Sequence, residues 1–113
     1  MTKFETILER LEALNLPVAH REFKDTKRNP APEPPFVVYL IEERQRGSDD
    51  RNRLREISVS LELYTDRTPD TEIERRIEDE VLYDVEFVKY QADIREENTV
   101  QTAYDFEILQ RKE

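Results

Sequence analysis

Residues 55–65 read Arg-Glu-Ile-Ser-Val-Ser-Leu-Glu-Leu-Tyr-Thr. Ile57, Val59, Leu61 and Leu63 share one phase of a period of two, and Glu56, Ser58, Ser60, Glu62 and Tyr64 share the other. Successive side chains of an extended strand point to opposite faces, so this stretch predicts a strand with one buried and one wet side. Antiparallel sheets tolerate a solvated face, whereas parallel sheets are covered on both. The fold is therefore built around an antiparallel sheet.

Upstream, Phe36-Val37-Val38-Tyr39-Leu40-Ile41 is apolar in both phases. Such a strand is central, or its second face is covered by another subunit. It should pair with 55–65 as a long hairpin, with residues 42–53 as the link. Within that link, residues 43–53 form an exposed hairpin loop. Gly47, the only glycine, supplies a turn there. Arg44, Arg46, Arg51 and Arg53 flank Asp49 and Asp50 in this loop. It reads equally as a solvated tip or as a contact arm, since arginine pairs well with carboxylates across interfaces.

The flanks carry two helices and three further strands. Phe4, Ile7, Leu8, Leu11 and Leu14 recur three or four apart, predicting a helix at 3–14. Thr2 and Glu5 form a capping-box pattern, and Asn15 followed by Pro17 is a stop signal. Residues 16–23 predict an edge strand, and the proline-bearing residues 24–35 a stiff loop. Thr68 as N-cap with Pro69 at the first helical position opens a second helix at 69–82, striped by Ile73, Ile77 and Val81. Residues 85–94 form a strand in which Val85 and Phe87 hold one phase and Val88, Tyr90, Ala92 and Ile94 the other, a switch that suggests a bulge or a strand contacted on both sides. Residues 95–98 turn. Thr102, Tyr104, Phe106 and Ile108 then alternate in a last strand, and residues 110–113 form a frayed tail. The sum is one α+β domain over 1–113, with an antiparallel meander of about four or five strands and two helices on one face, in the order α-β-β-β-α-β-β.

Composition narrows function. Charged residues make up 40% of the chain, with 18 basic against 27 acidic, a net charge of −9. General nucleic-acid binding needs a basic face, and an anionic membrane would repel this one. No apolar run reaches the ~20 residues of a membrane span, and the N-terminus carries no apolar signal core, so cytoplasmic synthesis is expected. With no cysteine, one histidine (His20) and one glycine, thiolate metal sites, His clusters and glycine-rich nucleotide cradles lack their raw material. The acidic runs Asp49-Asp50 and Glu78-Asp79-Glu80 match no calcium loop and read as solvated faces. No enzyme activity, cofactor or metal is expected.

Four stretches together resemble a known family: Leu16-Pro17-Val18-Ala19-His20, Pro34-Pro35-Phe36-Val37-Val38-Tyr39, Val59-Ser60-Leu61-Glu62-Leu63-Tyr64-Thr65 ahead of residues 72–80, and Tyr104-Asp105-Phe106-Glu107-Ile108. In order and spacing they are similar to the small tail-completion, or tail-terminator, proteins of long-tailed bacteriophages and prophages. The resemblance implies a ring, typically a hexamer, at the head-proximal end of a phage tail. Such a ring ends tube polymerisation and helps join tail to head. The implied partners are copies of the chain itself, the tail tube protein and head-tail connector proteins, with DNA only as a passing genome and no membrane. The implied location is the virion, after synthesis in the host cytoplasm. A net negative charge suits a channel for DNA, because acidic walls do not trap phosphates. The four arginines in 43–53 depart from the family's pattern. The tentative interaction residues are Phe36, Tyr39, Arg44, Arg46, Asp49, Asp50 and Arg51. A head-closure or connector ring, and an acidic DNA mimic or inhibitor, are the alternatives.

Overall fold

The computed structural model describes residues 2–46 and 54–111. In chain order the elements are α1 (Phe4–Glu12), β1 (Val18–His20), β2 (Phe36–Arg46), β3 (Leu54–Asp66), α2 (Thr71–Arg76, running on as a π-helical turn over Ile77–Val81), β4 (Val88–Ile94) and β5 (Thr99–Arg111). The five strands form one sheet in the order β1-β2-β3-β5-β4.

The α+β class and the order of elements agree with the expectation, but the sheet is mixed. β1 runs parallel to β2, with Val18 opposite Val37 and His20 opposite Tyr39, while all other neighbours are antiparallel. A parallel pair needs a long crossover rather than a hairpin, and residues 21–35 provide one. Nor is the sheet a meander: α2 carries the chain past one strand position, and β5 returns to fill the gap between β3 and β4.

The period of two in β3 resolves as read. Ile57, Val59, Leu61 and Leu63 are buried, and their ladder partners Ile108, Phe106, Tyr104 and Thr102 are buried beside them. Both helices pack on this face. Ile7, Leu11 and Leu14 from the first and Ile77, Val81 and Leu82 from the second close one core over the strands. Ladder pairing also extends β2 to Arg46 and starts β3 at Leu54, so residues 42–46, read as loop, are strand. On the helix side of this stretch Glu43 bonds Arg55 of β3 at 2.7 Å, and on the other side Glu42 and Arg44 are exposed.

Helix ends differ from the capping patterns. Lys3, not Thr2, precedes α1, and no side chain of its own caps it. The Thr2 hydroxyl donates to Asp84 instead. The cap comes from far away: Gln110 Oε1 accepts from the Phe4 N–H at 3.0 Å, and Gln110 Nε2 donates to Glu5 at 3.4 Å. Ladder pairing with Arg55 and Leu54 keeps Gln110 and Arg111 in β5, so the frayed-tail reading is corrected at those two residues; 112–113 lie outside the described residues. At α2 the cap is Asp70, not Thr68, with its carboxylate accepting from the N–H groups of Glu72 and Ile73 at 3.1 Å. Asn15 does adopt the left-handed stop, at φ 62°. β4 begins only at Val88, so Val85 and Phe87 pack on the core from the preceding turn and no bulge is needed for the phase switch.

Candidate interaction surface

The face of the sheet opposite the helices is the candidate site. It collects the even-numbered residues of β2, β3 and β4 and the odd-numbered ones of β5. The resulting surface is part aromatic, part acidic and part open.

Its aromatic end is partly covered by the 21–35 crossover. Phe36 stacks on Tyr64, with centroids 5.1 Å apart and planes at 25°, and Phe23 from the crossover meets Phe36 edge-on at 5.3 Å. The Tyr64 hydroxyl accepts from Gln101 at 2.8 Å and donates to Glu62 at 3.1 Å. Burial, opposed in part by the Gln101 bond, raises the Tyr64 phenol above its ordinary value.

Next to this end lies an open concavity of about 580 Å³, lined among others by Leu40, Glu42, Ser60, Glu62, Tyr90 and Asp105. It joins carboxylates, hydroxyls and one exposed leucine on a floor of backbone. One Asp105 oxygen, Oδ1, is buried without a donor in bonding geometry, although the Tyr90 phenol lies beside that carboxylate. Burial and then the Asp105 charge push the Tyr90 phenol up. An arrangement rich in acceptors favours polar or cationic groups of a partner. Among the described residues, no three acidic or imidazole side chains converge as a metal site.

The expected interaction residues do not form one patch. Phe36 and Tyr39 lie on opposite faces. Tyr39 points to the helix side, where it meets Phe4 edge-on at 5.9 Å and stacks on His20 at 5.0 Å. Arg44 is exposed on the open face of β2. Arg46 ends that strand, and Asp49, Asp50 and Arg51 lie outside the described residues.

The helix side carries a polar cluster, and it corrects the solvated-face expectation at Glu78. Lys89 Nζ, from β4, bonds Glu74 at 2.7 Å and Glu78 at 2.8 Å. The Tyr104 hydroxyl donates to Glu78 at 2.8 Å, and Gln91 Nε2 donates to Glu74 and Thr102. Burial pushes Glu78 up, but the Lys89 and Tyr104 bonds outweigh it and hold its carboxyl below the ordinary range. Burial likewise pulls Lys89 down, and its two carboxylate partners more than reverse this. Burial, then Glu78, pushes the Tyr104 phenol far up. With Lys89 shared between the two carboxylates, the cluster serves to pin β4 under α2. The spacing of Glu74 and Glu78, four apart on one helical face, was the available signal.

Both outer edges of the sheet complete the surface. No described strand flanks β4 beyond β5, and β1 covers the outer edge of β2 only through Tyr39. The sequence matches no protein-family model, and no curated protein matches it.

Proposed function

We propose that this chain is a structural virion protein of the tail-terminator kind, self-assembling into a ring at the head-proximal end of a phage tail, where it ends tube polymerisation and helps tail-to-head joining. Two things support this reading. Four stretches resemble that family, and together they span nearly the whole chain. The observation that carries the self-association is the sheet itself, one face open and both outer strands without full partners. An outer strand presents unpaired backbone N–H and C=O groups that a strand of another protein surface can complete. Light scattering with negative-stain microscopy, alone and with purified tail tubes, tests it. Rings, or decoration of one tube end, are the expected result; a monomer at all concentrations that never caps a tube overturns it.

The carboxylates Glu42, Glu62, Asp105 and Glu107 on the open face favour a second reading, an acidic module that occupies the phosphate-binding surface of a nucleic-acid enzyme. It predicts a monomer or dimer and direct competition with DNA for such an enzyme.

A further inference from the structure

Among the described residues, four of the five exposed large apolar side chains lie on the two outer edges of the sheet. Val88 (66% exposed) and Tyr90 (47%) are on β4, and Leu40 (39%) and Ile41 (38%) are on β2; Tyr83 is the fifth. Free sheet edges are usually guarded by lysine, proline or a bulge. β4 has no proline; of its two charged residues, Lys89 is turned to the helix side and bound by Glu74 and Glu78, and Asp93 is exposed. On the other side of the sheet, Arg21 adopts φ 75° and its N–H bonds the Tyr39 carbonyl. That turn takes the chain off the edge of β2 just where β1 ends. No described strand flanks residues 40–46 of β2 on that side, a span equal to the 7 residues of β4.

We propose that copies of this chain join edge to edge, β4 of one copy adding antiparallel to residues 40–46 of β2 in the next. Strand direction supports this. β2 and β5 run the same way, because both are antiparallel to β3, and β4 runs against β5. Two copies placed side by side, without inverting either, therefore bring β4 against β2 in antiparallel sense. This is a head-to-tail contact, the kind that closes into a ring. A twofold β4–β4 contact would also form a ladder, but it would leave Leu40 and Ile41 bare on the outer edges of the dimer. Only the head-to-tail contact covers both edges in every copy. Glu42 and Arg44, exposed on the receiving stretch, restrict which strand can add. The inference deepens the ring reading and takes from it only that the chain self-associates.

The chain has no cysteine, so introduced thiols report unambiguously. Ala92→Cys on β4 is combined with Glu42→Cys or Arg44→Cys on β2 and treated with a short bis-maleimide, which tolerates a slip in register. The double variants should give a ladder of covalent oligomers, and each single variant alone should stay monomeric on a denaturing gel. Efficient dimer from Ala92→Cys alone overturns the proposal in favour of twofold pairing. No covalent oligomer from any variant at high concentration overturns edge pairing altogether. If wild-type rings are then still seen by microscopy, the ring reading survives and only the edge contact fails. A Val88→Lys/Tyr90→Lys variant gives an independent readout: it should keep the wild-type circular dichroism and lose all species above monomer, and unchanged assembly would overturn the proposal.

Discussion

Gln110, near the end of β5, holds its side-chain oxygen 3.0 Å from the backbone N–H of Phe4, the first residue of α1. The bond is buried and spans almost the whole chain. It gives α1 the cap that its own flanking residues do not provide. Gln110→Ala should leave the Phe4 N–H buried without an acceptor and cost about 1–2 kcal/mol. A urea titration should show a lower midpoint at unchanged slope. A wild-type midpoint would mean that the cap is dispensable.

Phe106 sits opposite Val59 in the ladder and is 5% exposed under the helices. Phe106→Ala should cost about 3–5 kcal/mol, the usual range for an aromatic side chain deleted from a packed core. A loss below about 1 kcal/mol would mean that the site collapses or is wetter than its burial implies.

What could be read from sequence was what depends on near neighbours. The alternation of residues 57–63 and 102–108 and the stripe of Phe4, Ile7 and Leu11 are local patterns, and each marked the buried face correctly. The parallel pairing of β1 and the insertion of β5 beside β3 depend on where long connections lead, which no local period encodes. Gln110 as a cap for Phe4 was illegible for the same reason. At the candidate surface, Phe36 and Tyr39 were rightly placed in a paired strand, but three residues apart they point to opposite faces. The phase shared by Val88 and Tyr90 was visible. That it faces solvent on an outer edge follows only from the strand order.

The Lys89 cluster predicts an alkaline limit to stability. Lys89 and Tyr104 both have raised values in the fold, so the stability they contribute is complete below their ordinary values and is lost as pH rises through the raised ones. Urea midpoints should hold steady from neutral pH to about 9 and fall above about 10, the ordinary range of these two groups. Tyr104→Phe should remove the tyrosine part of that slope and cost about 1 kcal/mol at neutral pH. In an absorbance titration of the wild type, one tyrosine should ionise only with unfolding. Full ionisation in the folded state would contradict a buried Tyr104 hydroxyl bonded to Glu78.

Asp84 makes the opposite prediction, at low pH. Arg10 donates to both its oxygens, at 2.8 and 3.3 Å, and also to the Val81 carbonyl, while its guanidinium lies 4.3 Å from the Tyr83 ring. These Arg10 bonds first, and the Thr2 hydroxyl second, lower the Asp84 carboxyl to about 2. A lowered carboxyl contributes stability above its unfolded value, about 3.9, that is lost as pH falls through the folded one. Asp84 is over a third exposed, so water screens the pair and the energetic effect is small. The titration itself is the sharper observable. A carboxyl-detected NMR titration should place the Asp84 midpoint near 2 in the wild type. In Arg10→Met, which keeps an apolar stem over Tyr83, the midpoint should move back toward the ordinary value. Thr2→Ala should move it by less, because it removes one neutral hydroxyl donor rather than two charged ones. Equal midpoints in wild type and Arg10→Met would show that the clamp between α1 and the turn after α2 does not form in solution.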